Sequence, residues 1–137
     1  GCANGYRLGY IKKKYNSKCY GLDCSNKAIT CGISRYKNLN LYCGGVEKLN
    51  FKDFFFDLVI INFVFHWVDR KLLKKAVSEA DRVLKDKGVI IIGDFYPLYP
   101  VMKLYHHIKD KKVYTYKDDY SRMFEIAQAC RVRLRVE

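Results

Sequence analysis

No cysteine of this chain sits in a C-x-x-C pair or beside a histidine at ligand spacing; Cys2, Cys19, Cys24, Cys31, Cys43 and Cys130 are scattered. That excludes a zinc site or a disulfide framework as the organising feature and makes reduced thiols in a cytoplasmic protein the plainer reading. Long apolar runs are lacking too. The most apolar stretch, Phe54 to Val68, is broken by Asp57, Asn62 and His66, whereas a free-standing membrane helix needs about 20 apolar residues. No membrane span is expected, no basic-then-apolar leader opens the chain, and no segment repeats. Acids are scarce: 14 Asp and Glu stand against 26 Lys and Arg, a formal net charge of +12. The clusters Lys12-Lys13-Lys14, Lys74-Lys75 and Lys109 with Lys111-Lys112 are short and dispersed. Solvated faces are therefore the plainer reading, and a nucleic-acid surface is possible but not favoured.

What is present suits one compact domain, since 137 residues that are half apolar can bury a core. Gly1 to Gly5 reads as a turn into a helix from Tyr6, weakened at Gly9. Lys18 to Asp23 reads as a short strand ending in an acid. Ser25 suits the N-cap of a helix with Ala28, Ile29 and Ile33 on one face. Leu39 to Cys43 alternates like a strand and stops at Gly44-Gly45. Phe56 to Asn62 and Val89 to Asp94 are continuous apolar runs of strand length, the pattern of parallel strands buried on both faces. Between them Asp69 caps a helix whose Leu72, Leu73, Ala76, Val77, Ala80, Val83 and Leu84 keep helical spacing.

Strands alternating with helices predict an α/β, Rossmann-like fold: an open, mostly parallel sheet with helices on both faces. After Asp94 the character changes. Phe95 to Pro100 bars a regular central strand or helix interior, and the tyrosine-rich stretch to Tyr120 reads as loop and short helix over the sheet edge. It is either an acceptor-side lid or ordinary packing. The tail Arg131 to Glu137 reads as a strand or a damaged end.

In an open parallel sheet, ligands bind beyond the carboxyl ends of the strands, where a small-residue turn and a helix N-terminus admit polar groups. Gly1-x-Ala3-x-Gly5 supplies such a turn. Asp23, at the end of the next strand, can accept hydrogen bonds from ribose hydroxyls. The pair points to a nucleoside cofactor. A dinucleotide fingerprint would need its third glycine at position 6, where Tyr6 stands; a spacing of small residues at 1, 3 and 5 suits S-adenosylmethionine instead.

Together with Gly21-Leu22-Asp23-Cys24-Ser25, Gly44-Gly45-Val46-Glu47-Lys48-Leu49-Asn50-Phe51, Phe56-Asp57-Leu58-Val59, Phe65-His66-Trp67-Val68 and Arg82 to Gly88, that turn resembles the class I S-adenosylmethionine-dependent methyltransferases, of the small-molecule, ubiquinone-biosynthesis-like type. The resemblance covers Gly1 to about Asp94. It implies S-adenosyl-L-methionine as cofactor, with Gly1, Ala3 and Gly5 facing its methionine part, Asp23 on the ribose, Val46 and Glu47 by the adenine, and Asn62 beside the methionine portion or the transferring methyl. It places His66 and Trp67 at the edge of the acceptor site, with Asp57 structural. Residues 1–94 are then a cofactor-binding core and 95–137 an acceptor-side or lid segment.

Two departures follow. The resemblance expects an acid at position 45, where this chain has Gly45, so that Glu47 or a backbone carbonyl must substitute. Ala3 stands for a glycine, tolerable if its φ is negative. The family's first strand would precede Gly1, so a chain lacking that strand is expected, and no terminal antiparallel hairpin is recognisable. His66 is the first candidate for a general base, with His106, His107 and Asp94 behind it; a pocket-wall histidine is the plainer alternative. The expected function is methyl transfer to a small-molecule acceptor; the alternatives are an RNA methyltransferase and a non-catalytic methyltransferase-like binding module. No metal site is expected.

Overall fold

The computed structural model describes residues 1–106, 112–127 and 133–135. His107, Lys109, Lys111, Cys130 and the ends of the arginine-rich tail lie outside the described residues. The described residues form two compact units, 1–49 and 50–137, each taken by itself below.

The first unit runs α1 (Tyr6–Tyr15), β1 (Tyr20–Asp23), α2 (Asn26–Arg35) and β2 (Asn40–Cys43). β1 and β2 are parallel, with Asp23 opposite Cys43 at their carboxyl ends. Ser25 caps α2 as its position predicts, its Oγ accepting from Ala28 N at 3.3 Å. The predicted apolar face is corrected at one position. Ile33 is half exposed, and Gly32 lies inward instead, because a side chain there would meet the carbonyl of Asn4 at 2.5 Å. Glycine at 32 lets the turn ahead of α1 approach α2 closely. Gly9 does not break α1; it faces the ring of Tyr36.

The second unit runs β3 (Phe56–Asn62), a single 3-10 turn (Phe65–Trp67), α3 (Arg70–Arg82), β4 (Leu84–Gly93), β5 (Val101–Leu104), β6 (Tyr114–Lys117), α4 (Ser121–Ala127) and β7 (Arg133–Arg135). β3, β4 and β7 form a parallel sheet in that order. Asp69 caps α3, its carboxylate accepting from Lys71 N at 2.8 Å. Leu73, Ala76, Val77 and Ala80 form the buried stripe that the spacing predicts, and Leu72 is largely exposed.

Three expectations are corrected here. The helix stops at Arg82, leaving Val83 as its cap and Leu84 as the first residue of β4. Both side chains are almost completely buried, so their spacing reports burial, not helix. β4 therefore starts early. Phe56 pairs with Leu84 but Leu58 with Val89, so Lys85 to Gly88 make an excursion between two rungs of the ladder.

The strand β3 is not buried on both faces, since Leu58 and Ile60 are 45% and 46% exposed while Ile61 is buried. Finally, the tyrosine-rich stretch is not loop and short helix alone: β5 and β6 pair antiparallel, Val101 opposite Lys117 and Leu104 opposite Tyr114. The alternation of residues there is too irregular to announce a hairpin.

A buried aromatic centre anchors the second unit. Phe65 is fully buried, with the rings of Tyr120 and Phe124 at 5.4 and 6.1 Å; burying a side chain of this size contributes roughly 2–3 kcal/mol. Arg70 ties the 3-10 turn to the hairpin: it donates to the carbonyls of Phe65 and Val68 at 2.7 Å each, and its guanidinium lies 4.4 Å over Tyr116. Among the described residues no helix is long and apolar enough to cross a membrane.

Candidate functional site

In the first unit the predicted site residues converge on the carboxyl ends of β1 and β2. The backbone of the opening turn is tied to β1: Cys2 N donates to the carbonyl of Leu22 at 2.9 Å, and Ala3 N to Asp23 Oδ2 at 2.8 Å. The other oxygen, Oδ1, accepts from Ser25 N at 2.9 Å. One carboxylate thus fixes both the loop ahead of α1 and the start of α2. A carboxylate has about four acceptor positions, so the two unused ones remain for hydroxyl donors.

Gly5, at the N-cap of α1, has φ 78 and is buried, as a left-handed turn next to a strand end requires of glycine. The condition under which alanine is readily tolerated at position 3, a negative φ, is not met: its φ is 48. A β-carbon in the left-handed region crowds the following carbonyl, so the backbone bond to Asp23 holds Ala3 in a conformation that glycine adopts more readily.

The segment after β2 folds back on itself at position 45. Gly44 N donates to the carbonyl of Asp23 at 3.0 Å, and Lys48 N closes a turn on the carbonyl of Gly45 at 3.3 Å. Inside that turn both carboxylate oxygens of Glu47 occupy the space a side chain on Gly45 would take. Val46 and Glu47 are half-buried. Glycine at 45 is what lets the carboxylate fold back.

Asn62 and His66 belong to the second unit, at the carboxyl ends of β3 and β4. The side-chain oxygen of Asn62 lies directly over Gly93, where any β-carbon would collide with it. Phe63 follows at φ 52 and donates its N–H to the carbonyl of Gly93 at 2.6 Å. A bulky residue with positive φ is an outlier held by its surroundings, and here it turns the ring of Phe63 to within 5.5 Å of Phe95 and 6.0 Å of His66.

His66 itself is only 4% exposed, so it lies under this aromatic layer and not on its rim. Trp67 is the exposed neighbour, its ring 4.7 Å from that of Tyr105. Nδ1 of His66 is 2.8 Å from Asp94 Oδ1, an ion-pair distance without the alignment of a hydrogen bond, and His66 N donates to Oδ2 at 3.3 Å. Burial pushes the pKa of His66 down; Asp94 opposes this, and the charges of Lys117 and Arg70 add to it.

Asp94, a lesser candidate in the sequence, is therefore the residue that positions the leading one. Phe63 and Phe95 were not legible as site residues, because the signal for them is a backbone angle and a ring contact. Asp57 pairs with Lys85 at 2.7 Å at the far, amino end of β3, which suits a structural role. His106 is exposed. The cysteines among the described residues, Cys2, Cys19, Cys24, Cys31 and Cys43, are free.

Residues 1–92 match the methyltransferase domain family. Over 114 residues the chain is 34% identical to an uncharacterised protein of Methanocaldococcus jannaschii, covering 83% of this chain and 53% of that one. Over 91 residues it is 30% identical to the mitochondrial arginine-hydroxylase NDUFAF5 of Homo sapiens, covering 66% and 26%. The chain thus spans about half the length of the first relative and about a quarter of the second. Among solved structures, the PH0226 protein from Pyrococcus horikoshii superposes with a TM-score of 0.61 at 28% identity over 71% of this chain and 44% of that one. An S-adenosylmethionine dependent methyltransferase from Mesorhizobium loti superposes with a TM-score of 0.68 over 91% of this chain and 68% of that one; at 15% identity it shows the shared Rossmann-like fold.

Proposed function

From a chain that belongs to the methyltransferase domain family, we propose an S-adenosyl-L-methionine-dependent methyltransferase acting on a small-molecule acceptor. One observation carries the reading: Asp23 ties the opening turn to the start of α2, one oxygen accepting from Ala3 N and the other from Ser25 N with acceptor positions to spare, while the Glu47 carboxylate fills the space over Gly45. These residues suit a nucleoside cofactor. Gly1, Ala3 and Gly5 would face its methionine part, Asp23 its ribose, and Val46 and Glu47 its adenine, with Asn62 toward the methionine or the methyl. When bound, S-adenosyl-L-methionine supplies an electrophilic methyl group on a sulfonium.

The protein's part is to align the acceptor and exclude water. The rings of Phe63, Trp67 and Phe95 offer an apolar wall for that purpose. His66 is our candidate for accepting a proton from the acceptor. Asp94 faces its Nδ1, which would leave Nε2 for the proton, and burial favours the neutral imidazole. The hairpin β5–β6 supports an acceptor-side role for residues 95–137, since it packs on the 3-10 turn that carries His66. Residues 1–94 would hold the cofactor. Free cysteines suit a cytoplasmic setting.

Titrating the full-length protein with S-adenosylmethionine and S-adenosylhomocysteine tests the reading. Heat of binding is expected with both, and its absence at millimolar ligand overturns the proposal. Transfer of labelled methyl from S-adenosylmethionine into a fractionated small-molecule extract separates the alternatives. Label in RNA instead would favour the RNA methyltransferase, and binding without transfer the non-catalytic module. One relative is named an arginine-hydroxylase, so an oxidised product without methyl transfer would also displace our reading.

A further inference from the structure

The charge of the chain is unevenly spread. Residues 1–49 carry nine Lys and Arg against two acids, Asp23 and Glu47, while residues 50–137 carry 17 against 12. Asp23 is engaged by two backbone amides, and Glu47 is folded over Gly45. Neither carboxylate belongs to α1, which has no acid at all.

A helix turns about 100° per residue, which sorts α1 into two sides. Leu8, Gly9 and Ile11 are half-buried, with Gly9 against Tyr36. On an opposite arc of about 120°, Lys13, Tyr6, Tyr10, Lys14 and Arg7 follow one another, and all five are exposed, the tyrosines at 66% and 61%. The Lys14 ammonium lies 5.9 Å from the Tyr10 ring centre and 5.2 Å from that of Tyr15. Two flat aromatic rings and three cations thus share one exposed stripe.

We propose that this stripe of α1 is a docking face for single-stranded nucleic acid, with Arg7, Lys13 and Lys14 meeting phosphates and Tyr6 and Tyr10 stacking on bases. Single strands expose base faces for stacking, whereas a duplex hides them. A membrane-surface helix would bring aliphatic or Trp and Phe side chains to its buried arc, and this arc has none. The face is independent of the methyl-transfer reading, because none of its five side chains belongs to the cofactor or acceptor residues.

The test is fluorescence anisotropy of the full-length protein with a labelled oligouridylate of about 12 nucleotides, within the usual site size. With three phosphates neutralised, affinity should fall roughly 20-fold between about 50 and 200 mM salt. Lys13→Gln with Lys14→Gln should flatten that dependence. Tyr10→Ala should weaken binding roughly tenfold at every salt concentration, and Tyr10→Phe should restore it. All these side chains are exposed, and circular dichroism checks that the variants fold. The proposal is overturned by absence of binding, by a duplex of equal length binding as tightly with Tyr10→Ala silent, or by binding to phosphatidylglycerol vesicles but not to the oligonucleotide.

Discussion

Asp94 holds His66 at two points, its Oδ2 accepting the backbone N–H at 3.3 Å and its Oδ1 lying 2.8 Å from Nδ1, with both side chains at most 5% exposed. Because burial lowers the pKa of His66, the unfolded chain binds the proton more readily than the folded one. Stability contributed by the neutral imidazole is then fully present above the unfolded value of about 6.5 and is lost as pH falls through the lower folded value. Urea midpoints measured from neutral pH downward should fall more steeply for the native protein than for His66→Gln. Parallel curves would show that His66 does not titrate with folding.

Removing the partner should cost more than changing the pH. Asp94→Ala leaves the N–H groups of His66 and Phe95 without their acceptor, and loss of such charge-assisted bonds in a buried place costs about 2–4 kcal/mol. Asp94→Asn keeps one oxygen and should lose less. Equilibrium denaturation measures both.

Gly45→Ala separates binding from stability. The new β-carbon would collide with the Glu47 carboxylate, which can swing away because it ends a flexible side chain, so the unfolding midpoint should hardly move. Binding of S-adenosylhomocysteine should weaken by about tenfold, the worth of one charge-assisted hydrogen bond. Glu47→Gln should weaken it similarly, and the double variant should fall no further than either single one, since both act through one carboxylate. Additive losses by calorimetry would sink the coupling.

Ala3→Gly should stabilise the protein. With φ at 48, alanine sits where the left-handed strain is about 1–2 kcal/mol, and glycine recovers it less the entropy of a more flexible unfolded chain, about 0.5–1 kcal/mol. A net gain of roughly 0.5 kcal/mol is expected in thermal or urea unfolding.

Gly32→Ala should do the reverse. Its β-carbon would meet the backbone carbonyl of Asn4 at 2.5 Å, and backbone cannot yield as a side-chain end does. A loss of about 1–3 kcal/mol is expected, typical of overpacking, again read from the denaturation midpoint.

The sequence by itself determined the order of strands and helices from Tyr6 to Gly93, the caps at Ser25 and Asp69, and the place of Asp23 at a strand end. Each of these is a local signal: an apolar period, a hydroxyl or carboxylate before a helix, an acid closing a short run. Tertiary structure alone decided the rest. Val83 and Leu84 look helical because buried helix and buried strand demand the same side chains. Leu58 and Ile60 look core-bound because apolarity reports what can be buried, not what is.

The site shows the same division. That His66 is covered, that Asp94 reaches it across 28 positions, and that the Glu47 carboxylate fills the space over Gly45 all depend on which backbone carries each group into which space. No period in the chain encodes that placement, since it arises from contacts between segments.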